Sequence, residues 1–184
     1  MSQTAGLLMT AGSGCFLVGA AVAVPRVFTE RDPQLRLRLL DARPTAWRLG
    51  QPLYALGAMA AACGVGVLAA DERATSSGWL AASCASLVLG ALAWGWSVYL
   101  RAVRPRDFAL GRLPGRPFAA YVWLTLVGLA LLGVGLLAGS WPTWAGWATL
   151  GADALFLALF VRTGDIPPFV FYLLLGVVGG FAVL

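Results

Sequence analysis

Polar residues along this chain are confined to short stretches, and long apolar runs lie between them. Six runs stand out, at 5–24, 52–70, 78–100, 118–139, 143–161 and 169–184. About 20 apolar residues at 1.5 Å rise cover the roughly 30 Å hydrocarbon core of a bilayer. Unpaired backbone groups cannot stay in hydrocarbon, so runs of this kind must be helices. The last run is short and crosses only if it starts near Ile166 or if the bilayer thins locally. The start, Met1 to Thr4, carries no positive charge, so the first run is expected as an uncleaved span despite the cleavage-like Ala21-Val22-Ala23. The expected fold class is all-α: one integral membrane domain over 1–184, a bundle of six transmembrane helices.

The polar stretches set the orientation. The first loop holds Arg26, Arg31, Arg36, Arg38, Arg43 and Arg48. The third, with the end of the third run, holds Arg101, Arg104, Arg106, Arg112 and Arg116, and the fifth holds Arg162. Arg73 alone lies on the other side, which makes twelve arginines against one. Basic loops stay in the cytoplasm, so both termini are expected outside it, in a multi-pass protein of the inner or plasma membrane. Within the first loop, Asp32-Pro33 forms an N-cap and N1 pair. It opens a short amphipathic helix over about 33–43, expected at the interface with leucines in lipid and arginines at head groups.

Segments repeat at an offset near 70 residues. Leu17-Val18-Gly19-Ala20 resembles Val88-Leu89-Gly90-Ala91, and the segment from Gly64 resembles the segment from Gly133. A fainter third copy, at a shorter offset, pairs Pro117-Phe118 and Tyr121 with Pro168-Phe169 and Tyr172. Three tandem two-helix hairpins inserted in one sense account for this and for arginines in alternate loops; shared Gly-Ala-Leu composition is the plainer explanation. Gly176 and Gly180 form a GxxxG pair of the kind that lets helices pack closely, within the chain or across a dimer.

Composition sharpens the class. Sixty per cent of residues are hydrophobic and 11% are charged, less than half the usual charged share of a soluble domain, about 25%. All 13 basic residues are arginine, with no lysine and no histidine, as a GC-rich bacterial genome would encode. Schiff-base chemistry, Ser-His catalysis, His-ligated haem and His-based zinc sites are thereby excluded. Cys15, Cys63 and Cys84 lie in three different runs without a CxxC pair and are expected as small buried residues. No cofactor and no metal site is expected. The net charge of +5 points to anionic lipid rather than nucleic acid, because the arginines flank apolar runs.

One charge falls inside a run. Asp153 lies near the middle of the fifth, with Thr149 four residues back on the same helix face. A carboxylate at that depth costs several kcal/mol unless protonated, paired or facing water. It is therefore the candidate proton- or cation-binding residue, with Thr149 beside it; the alternative is internal helix glue. A second candidate is the cytoplasmic mouth, where Arg36, Arg38, Arg101, Arg162, Tyr121 and Tyr172, with Tyr54 and Gln51, could take a lipid head group or anionic metabolite. Tyrosine anchoring at the interface is the competing role, and Trp47, Trp94, Trp96 and Trp123 read as an aromatic belt on that side. Trp79, Trp141, Trp144 and Trp147 read as its counterpart on the other.

No motif supplies a catalytic set, so a non-enzyme is expected. The leading expectation is a carrier or sensor for a small molecule, proton or cation built around Asp153. The alternative is a structural or accessory subunit packed against lipids, another membrane protein or a second copy.

Overall fold

The computed structural model describes residues 3–72 and 74–183, apart from the side chains of 74 and 75. Arg73, the lone arginine of the second loop, lies outside the described residues, as does Leu184 at the end of the last run. Among the described residues the chain is helical, without strands. The elements are α1 (Gln3–Val22), α2 (Arg26–Thr29), α3 (Pro33–Ala42), α4 (Pro44–Asp71), α5 (Ala74–Val103), α6 (Pro105–Ala109), α7 (Arg116–Ala138), α8 (Thr143–Thr163) and α9 (Phe169–Val183).

Five of these, α1, α4, α5, α7 and α8, are long and apolar enough to cross a membrane. α9 is equally apolar but has 15 residues, about 22 Å of helix. It starts only after Pro167 and Pro168, which lie in a turn and not in the helix. The second long helix begins at Pro44, eight residues before the apolar run does, and continues through Pro52. Its extra turns are polar outward, but Trp47 is buried and its Nε1 donates to the Arg101 carbonyl at 3.1 Å. That packing offsets the backbone bond that Pro52 cannot make. The cap at Asp32 forms as expected: its side chain accepts from the Gln34 N–H at 2.9 Å, with Pro33 in the first turn.

The long helices pack in the order α9, α1, α4, α5, α7, α8. The two ends of this arc meet through aromatic contacts, Phe156 with Phe171 at 5.4 Å and Trp144 with Phe181 at 4.8 Å. α1 with α4 and α5 with α7 are closely packed neighbours, whereas α8 leans on α7 and α9 on α1. The third consecutive pair is thus splayed where the first two are tight.

Small residues explain the α1–α4 contact. Gly50, Gly57 and Gly64 recur every seven residues on α4, facing Ala5, Gly12 and Gly19 at the same spacing on α1. A seven-residue repeat keeps two helices in register around a left-handed supercoil. A methyl group at Gly57 would lie 2.5 Å from the Phe16 nitrogen, so the backbones touch there. On α9 the glycine spacing differs from the GxxxG expectation. Gly176 and Gly179 face α1, and Gly180 points to open space, one 100° step around the helix.

Hydroxyls bridge helices elsewhere. Ser83 and Ser86 of α5 donate to the Gly128 and Leu124 carbonyls of α7, both at 2.7 Å. Glu72 accepts from Ser140 at 3.1 Å and ties the turn after α4 to the turn before α8. Cys15 and Cys84 are half-buried with weak thiol bonds to carbonyls, while Cys63 is exposed, against the expectation that all three are buried.

Candidate ligand-binding cavity

Loops one, three and five, which carry twelve of the arginines, meet at one end of the bundle around a cavity of about 580 Å³. Its walls come from the ends of α1, α4 and α5, the start of α7, the short helices α2, α3 and α6, the turn 165–168 and the first residue of α9. The volume lies within the range of small-molecule sites, roughly 300–1,000 Å³.

The floor is aromatic. Phe16, Tyr54 and Trp94 line it. Phe16 stacks on Tyr172 at 3.8 Å and meets Tyr54 edge-on at 4.9 Å. Trp94 meets Tyr54 edge-on at 5.7 Å and Tyr121 at 4.8 Å. Rings contributed by α1, α4, α5, α7 and α9 therefore form one layer beneath the cavity. Two positions read as interfacial belt, Trp47 and Trp94, are instead core residues. Tyr54, Tyr121 and Tyr172 are buried as well, so none of the three keeps the exposed position of an anchor. Trp96, Trp123, Trp79, Trp144 and Trp147 are exposed as a belt requires, but Trp141 is buried. An aromatic ring gains more from five surrounding helices than from the surface, and period 3.6 turns Trp94 inward while Trp96 turns out.

Arg101 lies above this floor. Its guanidinium carbon is over the Trp94 ring at 4.8 Å and the Phe108 ring at 5.2 Å, with Phe118 at 5.9 Å and Phe28 at 6.0 Å. Trp94, Ser97 and Arg101 fall at i, i+3 and i+7 on one face of α5, and all three line the cavity. Arg36 is the second cation in the lining; its Nε donates to the Val27 carbonyl at 3.1 Å and it lies over Phe108 at 5.7 Å. Asp165 is the one carboxylate there, with Oδ1 accepting from the Ile166 N–H at 2.8 Å. Two arginines against one aspartate leave the lining with a net charge of +1.

Comparison with protein-family models, curated proteins and solved structures finds no match for this chain. The chemistry of the site thus rests on its own residues.

Of the residues expected at the basic mouth, Arg36 and Arg101 come together in the cavity. Arg38 and Arg162 are exposed and outside its lining, and Tyr121 and Tyr172 lie in the layer below. Gln51 is buried outside the cavity lining, and neither amide atom has a hydrogen-bond partner. The ring cage of Phe28, Trp94, Phe108 and Phe118 was not legible as a site; the i, i+3, i+7 spacing of Trp94, Ser97 and Arg101 is the one sequence signal for it.

Asp153 is elsewhere. It lies on the buried stripe of α8 with Ala145, Gly146 and Thr149, and it is not part of the cavity lining. Thr149 does not serve it: the Thr149 hydroxyl donates to the Ala145 carbonyl at 2.8 Å, a bond within its own helix. The Asp153 Oδ1 is buried without a hydrogen-bond partner.

Proposed function

We propose that this chain is a carrier or sensor that binds a small molecule in the cavity at its arginine-rich end. The reading includes one domain of six spans in a bacterial inner membrane, inserted as three same-sense hairpins. Both termini lie outside, the three basic loops are in the cytoplasm, and anionic head groups surround them. The arginine count of twelve against one supports that orientation. The observation that carries the binding function is Arg101 standing over four rings at the base of a cavity of about 580 Å³. An accessory subunit needs no such space, because its interior is served best by close packing.

The test is a thermal-shift screen of the detergent-solubilised chain against organic acids, phosphates, alcohols and amines, with Ser97→Trp as the cavity-filled control. Compounds that stabilise the natural chain and not Ser97→Trp support the proposal. If none of the four classes gives such a compound, the accessory reading takes its place.

Asp153 supports a second reading, a proton- or cation-binding position on the buried stripe of α8. The supporting observation is its buried oxygen without a partner. A bundle retains such a group at a cost of several kcal/mol, and proton and cation relays use carboxylates placed this way. The test is Asp153→Asn, which keeps size and loses the charge.

A further inference from the structure

The guanidinium of Arg101 is surrounded by aromatic side chains. Four rings lie against it within 6.0 Å. Among the described residues it makes no side-chain hydrogen bond and has no carboxylate within 4.0 Å. Arginine carries five N–H donors in its plane, and the aromatic rings around it offer no lone pairs to accept from them. A partly buried cation with unused donors is costly unless something with lone pairs meets them. The backbone beside it is already fixed, since the Arg101 carbonyl accepts from Trp47. The position of the side chain is therefore built in, and its donors are the part without a protein partner.

The rest of the cavity is largely apolar. Phe16, Leu100, Phe108, Leu113 and Phe118 occupy its walls. A bare inorganic anion would leave most of about 580 Å³ unfilled, and apolar walls recognise it poorly. An amine would meet Arg101 and Arg36 with only Asp165 to balance them.

We propose that the site takes an organic oxyanion, a phosphate or carboxylate on an apolar body, with the oxyanion in the plane of the Arg101 guanidinium and the body against the aromatic walls. This rests on the cavity being a binding site and names its ligand class. Two parallel N–H···O bonds give a planar fork its preference for carboxylate and phosphate. The same chemistry is found on soluble phosphates and on anionic lipid head groups, and basic pockets between membrane helices take the latter.

The test is a set of binding titrations on the full chain in phosphatidylcholine nanodiscs. The probes share one ring system: 1-naphthyl phosphate, 1-naphthoate, 1-naphthol and 1-naphthylmethylamine, with inorganic phosphate alone. The expected result is that one or both anions bind at least about ten-fold more tightly than naphthol or the amine, the scale of a charge-assisted pair. Arg101→Gln should remove that preference while leaving naphthol binding within about two-fold, and Arg101→Lys should keep part of it. Equal binding of naphthol or the amine would overturn the oxyanion assignment while leaving the cavity a binding site. Binding of inorganic phosphate as tight as that of naphthyl phosphate overturns the role of the apolar body. No binding by any probe overturns the oxyanion assignment and the cavity reading together. Adding phosphatidate to the nanodiscs separates the sources: competition with the naphthyl anion assigns a lipid head group, and its absence a soluble anion.

Discussion

The Arg101 guanidinium lies over the Trp94 indole at 4.8 Å, one helical face joining the two residues through Ser97. Trp94 is almost fully buried and also packs against Tyr54 and Tyr121. One side chain thus supports the cation above it and closes the bundle below it.

Substitution at Trp94 should separate those roles. Trp94→Phe keeps a ring under Arg101 and weakens a cation–π contact worth about 0.5–2 kcal/mol. Trp94→Ala also removes the centre of the aromatic layer, and large-to-small core changes of this kind cost about 3–5 kcal/mol. Thermal unfolding in one detergent should rank the chains as natural, Phe, Ala. A Trp94→Ala chain as stable as the natural one contradicts the layer as described.

Glycine substitutions should discriminate by helix face. Gly57→Ala forces α1 and α4 apart at the Phe16 nitrogen, and overpacking costs about 1–3 kcal/mol. Gly180 meets nothing within 4 Å, so Gly180→Ala should be neutral or stabilising by up to about 1 kcal/mol. The same unfolding assay reads both. A reversed order means that the packing faces have been assigned the wrong way round.

Much of this architecture was legible and the site only in part, for one physical reason. Burial in lipid requires apolar length, so hydropathy reports the helices, and the Asp32 cap follows local backbone rules that neighbours do not alter. The direction a tryptophan or tyrosine faces depends on which helices surround it. Trp47 and Trp94 looked like interfacial anchors because their depth is right for one, yet each is turned inward by contacts from other helices. Pro52 was expected to open a helix, and tertiary packing carried that helix eight residues further back. Asp153 was conspicuous because charge in an apolar run is visible in one dimension, whereas Arg101 was one of four arginines expected at the mouth until the rings around it set it apart.

Asp153→Asn should leave the cavity untouched, because Asp153 is not in its lining. Binding of naphthyl probes should stay within about two-fold of the natural chain, since sites without shared partners act independently. Under the second reading, proton- or cation-linked flux in proteoliposomes should be lost. Unchanged flux removes that reading, and lost probe binding contradicts the separation of the two sites.

The orientation predicts opposite labelling at the two ends. In a chain with Cys15, Cys63 and Cys84 replaced by serine, Arg38→Cys should react with an impermeant maleimide only from the cytoplasmic face. Thr143→Cys, at the start of α8, should react only from outside. Both reacting from the same face contradicts the arrangement of the loops.

The most direct measurement of the central claim places a thiol inside the cavity. Ser97 lines it one turn from Arg101, and Ser97→Cys in the same serine background can be probed in sealed, oriented vesicles with a small anionic methanethiosulfonate. The account predicts modification from the cytoplasmic face, none from outside, and slower modification once a naphthyl anion is bound. Modification only from outside, or none from either face while Arg38→Cys reacts normally, would contradict it.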